Sequence, residues 1–279
     1  MCESFTPPSV VYGIVYGGDE RESGGRTWVS RGVVTDGTLS VDRCAPVEEW
    51  FDTTAASPGT PTLTTFLADL PSTAAVGLDF PFGLPAGVVA EESWAAFVRD
   101  LPSWYDSPDD LRRRCERRVR RTDSSSDARF RATDGPLSTM SPFADPIVAS
   151  TFYGLRDVLR PLVLSDSVRV PPMTDPRSDR PFVVEVYPTG TLVDLDLFDT
   201  GDEDGGDEGE TRRAETLDGL CEAADAEVEV ADDVRESIVA DPDRLESVVA
   251  VYAVYRNSRT ASALAVSDSQ RLIEGQVFI

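Results

Sequence analysis

The sequence contains no histidine and no lysine. Its 279 residues include no His, and reading the chain shows that all 26 basic residues are arginine. This composition excludes Ser-His-Asp and Cys-His catalytic sites, HExxH zinc sites and P-loops with their lysine, and Schiff-base lysine chemistry. Arginine stays protonated near neutral pH and cannot serve as a base. Any acid–base or metal chemistry in this chain therefore depends on carboxylates, with four cysteines and the hydroxyl groups as the other reactive side chains.

Positive charge is also scarce. Fifty acidic residues face 26 arginines, which gives a formal net charge of −24, while 41% of the residues are hydrophobic. That apolar content excludes an acidic disordered chain. Two interpretations remain: an acidic partner of basic proteins, or a protein of a high-salt cytosol, where the Debye length is only ~3 Å at 1 M. The absence of lysine with arginine retained favours the second. The charge repels nucleic-acid phosphate overall, so such a ligand would need a local arginine patch or a bound metal.

Targeting and membrane signals are lacking as well. No apolar run reaches the ~18 residues of a membrane span, and the N-terminus has no charged start followed by an apolar stretch. The four cysteines lie far apart and form no CxxC pair, which is typical of reduced structural thiols. We expect a cytoplasmic protein that has no membrane partner and that folds as one domain over residues 1–279.

The apolar pattern predicts an α/β fold with a mixed central sheet flanked by helices. The first three strands follow one another through short turns, which favours an antiparallel meander. Strand–helix alternation then continues to the C-terminus. The predicted strands are 9–16, 27–34, 39–41, 74–78, 182–187 and 273–279; the predicted helices are 63–70, 91–100, 107–121, 146–162, 211–224, 232–239 and 242–257. Residues 122–142 and the acidic low-complexity stretch 199–210 are predicted to be loops.

Two carboxylates stand out because they lie in strands, where acidic residues are depleted. Asp79 ends an apolar strand, and Glu185 lies between two valines. Asp79 could instead cap the following turn, and Glu185 could point outward from a half-exposed strand. Asp243 and Glu246 are three residues apart and therefore share one helix face, although Asp243 would also be favoured in a first helical turn by the macrodipole.

The segment around Asp79, Gly-Leu-Asp-Phe-Pro-Phe-Gly-Leu-Pro over 77–85, resembles the signature of a widespread domain family of unknown function described as predicted RNase H-like nucleases. Further segments agree in order: Arg-Arg-Thr-Asp at 120–123, Thr-Phe-Tyr-Gly-Leu-Arg at 151–156, Val-Glu-Val-Tyr-Pro at 184–188, Ile-Glu-Gly at 273–275, and the helix that starts near Asp243. The resemblance implies an RNase H-like sheet of five or more strands, the first three antiparallel, with acidic residues at one end of the sheet.

The same resemblance implies a metal-dependent nuclease that acts on nucleic-acid phosphodiesters. Two metal ions, Mg²⁺ or Mn²⁺, would be held by carboxylates and would activate a water molecule. Hard oxygen ligands suit these ions. By resemblance, Asp79, Glu185 and Asp243 would be metal ligands and catalytic residues, and Glu246 a fourth catalytic acid.

The first strand departs from the family pattern. Val15 stands where the family typically has a metal-bridging aspartate. Asp19 follows four residues later, ~13 Å away along an extended strand, and only a fold-back of the chain would bring it near. Two-metal hydrolysis without a bridging acid would be badly impaired. A catalytically inactive RNase H-like protein, binding nucleic acid or a protein partner, is therefore the alternative to a nuclease.

The predicted helix 107–121 carries seven arginines, the strongest local charge anomaly in the chain. One interpretation is a phosphate-binding patch in which Arg117, Arg118 and Arg121 contact nucleic acid. The other is an ion-pair hub for neighbouring acids such as Asp109 and Glu116. The sequence leaves both open.

Overall fold

A seven-stranded mixed sheet lies at the centre of the molecule. The structure, a computed structural model, describes residues 5–18, 27–51, 60–122, 126–175, 179–198, 206–223 and 227–279. The strands are β1 (Val10–Val15), β2 (Trp28–Thr35), β3 (Thr38–Pro46), β4 (Ala74–Leu78), β5 (Phe182–Val186), β6 (Glu227–Val230) and β7 (Val277–Phe278). Their order is β6-β3-β2-β1-β4-β5-β7. The pairs β1–β2 and β2–β3 are antiparallel and the other pairs are parallel, which confirms the mixed sheet and its antiparallel first three strands.

Helices cover both faces of the sheet. They are α1 (Val47–Trp50), α2 (Thr60–Ala68), α3 (Trp94–Trp104), α4 (Pro108–Thr122), α5 (Asp134–Leu137), α6 (Val148–Tyr153), α7 (Arg160–Leu164), α8 (Pro188–Asp194), α9 (Gly206–Cys221), α10 (Asp232–Val239), α11 (Pro242–Asn257) and α12 (Arg271–Glu274). A π-helical segment, Gly154–Leu159, joins α6 to α7, and a 3₁₀ turn spans Ser126–Arg129.

The alternation of strand side chains divides the core into two layers. On β1, Tyr12 and Ile14 join the cluster formed with α2, α3, α4 and α6, whereas Val11 joins the cluster formed with α8 to α11. Apart from Glu185, the buried residues of β4 and β5 are apolar on both faces because a helical layer covers each face. Asp79 directly follows β4, and Glu185 is the fourth of the five residues of β5.

Helix α11 packs directly onto β1. A Cβ atom at Gly13 would lie 2.5 Å from the Val251 amide nitrogen and closer still to the Ser247 carbonyl oxygen. Only glycine permits this approach. The helix begins at a cap in which the Asp241 side chain accepts a hydrogen bond from the Asp243 amide at 2.9 Å. This cap fixes where Asp243 lies relative to the sheet.

Several predicted boundaries need correction. In the predicted loop 122–142, residues 126–129 and 134–137 are helical. In the predicted acidic loop 199–210, residues 199–205 lie outside the described residues, and 206–210 form the start of α9, where Asp207 and Glu208 suit the positive end of the helix. The predicted closing strand 273–279 is confined to β7, because its first residues complete α12.

The sequence does not predict three further elements, α1, α8 and β6. Pro188 predicts the end of a strand, but proline also favours the first turn of a helix. Strand β6 is a four-residue segment paired with β3, too short to be distinguished from its acidic surroundings.

No helix in the described part of the chain is both long and apolar enough to cross a membrane. Three cysteines, Cys44, Cys115 and Cys221, are free thiols, and Cys2 lies outside the described residues.

Candidate functional site

Asp79 is held at the end of β4, beside the end of β1. The Tyr16 amide donates to its Oδ1 at 2.7 Å, and its own amide donates to the Ile14 carbonyl oxygen at 3.3 Å. Because β1 and β4 are parallel neighbours, their carboxyl ends meet at the same edge of the sheet. The Asp79 carboxylate therefore lies next to the last residues of β1.

Asp243 supplies a second negative charge to the same region. Burial raises the pKa of Asp79 to about 7, the charge of Asp243 adds to that rise, and the hydrogen bond from the Tyr16 amide opposes it. A like charge raises a carboxyl pKa only when it lies close by in a poorly solvated setting. Asp243 is therefore near enough for its charge to act on Asp79.

Val15 lies at this acidic site. It is 7% exposed, and strand alternation places its side chain on the same face as Gly13, towards α11. Helix α11 contacts Gly13, two residues before Val15, at Ser247, which lies one helical turn after Asp243. A valine thus stands beside Asp79, where the resemblance places an acid. The substitute that the sequence offers, Asp19, lies outside the described residues.

Glu185, by contrast, is engaged by a buried arginine. Arg131 donates from Nη1 to Glu185 Oε2 at 2.7 Å and from Nη2 to Oε1 at 2.6 Å. The Phe82 amide also donates to Oε2, at 2.8 Å. The other edge of the guanidinium binds Asp134 at 2.8 Å. Burial lowers the pKa of Arg131, but the charges and hydrogen bonds of Glu185 and Asp134 more than offset this and raise it. The arginine is therefore a fixed cation between two carboxylates.

Glu274, the acid of the Ile-Glu-Gly segment at 273–275, connects two loops through hydrogen bonds. Its Oε1 accepts from the Ala86 amide at 2.6 Å, and its Oε2 accepts from the Ala132 amide at 2.7 Å. It is 1% exposed. Glu274 thus connects the segment after β4 to the residue next to Arg131.

The sequence interpretation missed Arg131 and Asp134. They lie in the segment read as a loop, which has no apolar periodicity. The available signal was local: an arginine and an aspartate three residues apart at the start of a helical turn. Both Arg131 and Glu185 line a cavity of about 120 Å³ that Asp79 also lines, so the ion-pair network borders the acidic site.

The described residues offer few free carboxylates to a metal ion. Among the described residues, no group of three or more His, Cys, Asp and Glu side chains could hold a metal ion. Both oxygens of Glu185 are already used by Arg131, and Glu246 is half-buried on α11 three residues after Asp243. Asp79 and Asp243 remain, and carboxylate oxygens are ligands that Mg²⁺ and Mn²⁺ prefer.

The arginine-rich helix α4 has two kinds of arginine. Buried Leu111, Cys115 and Val119 fix its inner face. Some of the arginines pair with nearby acids: Arg112 with Asp109 and Asp145, Arg113 and Arg114 with Asp110, and Arg120 with Glu116. For Arg117 and Arg121, no acidic partner is found in the part of the chain that the structure describes. The ion-pair interpretation is therefore confirmed for part of the helix, and phosphate binding by Arg117, Arg118 and Arg121 stays a prediction.

A cavity of about 420 Å³ lies along this helix; we call it the basic groove. It is lined by Val88, Trp104, Tyr105, Arg114, Arg117, Arg118 and Arg121. The three arginines predicted to contact nucleic acid are thus brought together at one groove, beside two aromatic residues.

Residues 17–270 of the chain match the family described as "Protein of unknown function (DUF429)". Since this match covers most of the chain, the protein belongs to that family. No significant match is found among curated proteins or among solved structures.

Proposed function

We propose that this member of the DUF429 family is an RNase H-like protein that binds nucleic acid, and that Asp79 and Asp243 hold a single Mg²⁺ or Mn²⁺ ion. We further propose that phosphodiester hydrolysis is impaired in it. The observation that carries the proposal is the position of Val15, a buried valine between the two residues whose backbones hydrogen-bond Asp79.

The sheet supports the RNase H-like assignment. Three antiparallel strands are followed by parallel strands, and the paired acids lie at the carboxyl ends of β1 and β4. This is the arrangement that the sequence resemblance implies for an RNase H-like fold.

The engagement of Glu185 supports impaired hydrolysis. Two-metal hydrolysis of a phosphodiester depends on carboxylates that hold both ions and on an activated water molecule. In this chain both oxygens of Glu185 accept hydrogen bonds from Arg131, and Oε2 also accepts one from the Phe82 amide. With Val15 at the end of β1, Asp79 and Asp243 are left to bind and orient a cation. When bound, that ion would supply Lewis-acid stabilisation of a phosphate oxygen.

An active nuclease is the second candidate function. The observation that favours it is the retention of Asp79 and Asp243 as neighbours, with the pKa of Asp79 raised to about 7, mainly by burial. A carboxyl group with a pKa near the working pH is a common feature of functional sites.

The test is an attempt to restore the missing acid. Cleavage of single- and double-stranded DNA and RNA is measured with Mn²⁺ in molar KCl for the wild type, Val15→Asp, Val15→Asn and Asp79→Asn. We expect Val15→Asp to raise the rate by about tenfold or more, equivalent to about 1.4 kcal/mol in the barrier. Val15→Asn is the matched control, because asparagine has the same shape as the aspartate of Val15→Asp but carries no charge. Combining Val15→Asp with Asp79→Asn should abolish the gain.

Other outcomes separate the candidates. Wild-type cleavage that Asp79→Asn abolishes, with no gain in Val15→Asp, would establish the nuclease instead. Cleavage that survives Asp79→Asn would refute this site. Titration with Mn²⁺ should give one bound ion per chain, and Asp243→Asn should weaken that binding.

A further inference from the structure

The basic groove contains an exposed tryptophan. Trp104 is the last residue of α3 and is 43% exposed, while Arg114, Arg117, Arg118 and Arg121 complete the lining. An exposed indole among arginines, in a chain of net charge −24, combines a flat apolar surface with a local positive field.

The tryptophan is presented from a rigid support. Tyr105, the next residue, is buried, and its amide donates to the Leu101 carbonyl oxygen at 3.0 Å. The Cys115 thiol of α4 donates to the Tyr105 hydroxyl at 4.0 Å. The end of α3 is therefore held against α4, and the position of Trp104 relative to the arginines is set by packing.

Two arginines of the basic groove carry charges that an anionic ligand can neutralise. Arg117 and Arg121 are exposed, and neither has an acidic partner within the described residues. Guanidinium groups bind phosphate through two parallel hydrogen bonds. Aromatic side chains stack on unpaired bases of any sequence, and this combination of stacking and basic residues is typical of sites for single-stranded nucleic acid.

We infer that the basic groove binds a single-stranded segment of nucleic acid, with one base stacked on Trp104 and adjacent phosphates on Arg117 and Arg121. The inference rests on the proposed function for nucleic acid as the ligand, and it adds which form of nucleic acid is bound. Bases of a duplex are already stacked on their neighbours, so they cannot lie on the indole. An acidic peptide would satisfy the arginines but leave Trp104 without a partner.

Binding is measured by fluorescence anisotropy with EDTA present, so that the cation site plays no part. The probes are a fluorescein-labelled thymidine strand of roughly twelve nucleotides, within the usual range of such sites, a duplex of the same length, and a strand of the same length with abasic residues. We expect the thymidine strand to bind about tenfold or more tightly than the abasic strand.

The variants separate base from phosphate. Trp104→Ala should weaken binding of the thymidine strand to the level of the abasic strand and leave abasic binding unchanged, while Trp104→Phe should retain most of the affinity. Arg117→Gln should weaken binding of both strands. Arg120→Gln is its matched control, since Arg120 is exposed on the same helix but paired with Glu116, and should have little effect.

The salt dependence of binding distinguishes the contribution of the phosphate contacts from that of base stacking. Phosphate contacts weaken as salt rises, so the effect of Arg117→Gln should shrink between 0.1 and 1 M KCl, two concentrations at which the Debye length is about 10 and 3 Å. The effect of Trp104→Ala should persist.

Three results would overturn the inference: equal affinity for strand and duplex, equal affinity for thymidine and abasic strands, or tighter binding of a polyglutamate peptide. Duplex binding with no preference for the single strand would overturn this inference and leave the proposed function standing. Absence of binding to every nucleic-acid probe would overturn the proposed function with it.

Discussion

The guanidinium of Arg131 donates to both carboxylate oxygens of Glu185, at 2.7 and 2.6 Å, and the two side chains are 1% and 4% exposed. Asp134 binds the other edge of the same guanidinium. Removing charges from water is costly, and a buried pair is stable only when geometry and further hydrogen bonds offset that cost. Here the Phe82 amide supplies one such bond, so the network joins β5 to the segment after β4.

Removing Glu185 should destabilise the protein strongly. In Glu185→Ala the buried Arg131 keeps Asp134 as its only carboxylate partner, and breaking a buried pair costs about 3–5 kcal/mol. Asp42→Ala is the matched control: it breaks a pair of similar length, 2.6 Å, whose side chains are 37% and 35% exposed. That change should cost less than about 1 kcal/mol. Guanidinium unfolding at pH 7 measures both, and equal costs would show that the buried network contributes no more than a surface pair.

This network also marks the limit of what could be predicted from the sequence. Glu185 was singled out because an acid between valines in a strand is unusual, a local pattern. Its partner Arg131 lies 54 residues away in the chain, in a segment without periodicity, and no local pattern connects the two. The strands and the long helix α11 were predictable because their apolar spacing is local. The short α8 was not, since Pro188 is compatible with both the end of a strand and the start of a helix.

The same contrast between local sequence patterns and contacts of distant residues applies to the candidate site. The end of a strand predicts Asp79 and the start of a helix predicts Asp243, and the charge of Asp243 contributes to the raised pKa of Asp79. That Val15 lies beside them follows from the pairing of β1 with β4 and from the close approach of α11 at Gly13. Those contacts join parts of the chain far apart in sequence.

The pH dependence of stability should reveal the state of Asp79. Its pKa rises from 3.8 to about 7 in the folded protein, first because of burial and then because of Asp243. Between these values the folded state binds a proton that the unfolded state has lost, so stability falls as pH rises from about 4 to 7 and is level above that. Asp79→Asn removes this dependence. The variant should match the wild type at pH 4 and exceed it at pH 8, by at most about 4 kcal/mol, since one pKa unit corresponds to 1.36 kcal/mol.

Urea unfolding at a series of pH values, without divalent cations, measures this difference. Asp36→Asn makes the same chemical change at an exposed turn and serves as the control. A difference between Asp79→Asn and wild type that stays constant from pH 4 to pH 8 would contradict the raised pKa.

Gly13→Ala should destabilise the fold and displace α11. The new Cβ would contact the Ser247 carbonyl oxygen and lie 2.5 Å from the Val251 amide nitrogen, both backbone atoms of a helix that cannot yield by a side-chain rotation. Overpacking typically costs about 1–3 kcal/mol, and contact with backbone favours the upper end. Gly87→Ala is the control because its Cβ would meet nothing within 4 Å. Thermal unfolding compares the two, and a neutral Gly13→Ala would show that the helix is not seated on β1 as described.

The melting temperature of the protein should keep rising at salt concentrations well above those that screen a few surface ion pairs. With 50 acidic residues against 26 arginines, the folded chain concentrates negative charge that the unfolded chain spreads out, and self-repulsion opposes the compact state. The Debye length shortens from about 10 Å at 0.1 M to about 3 Å at 1 M, so the melting temperature should rise continuously over that range of KCl.

NaCl at equal ionic strength should act similarly, because screening depends on charge and concentration. Sucrose, which stabilises by exclusion from the surface, should not substitute for the salt at low ionic strength. Reversible folding at undiminished stability in low salt would contradict both this prediction and the interpretation of the composition as that of a protein of a high-salt cytosol.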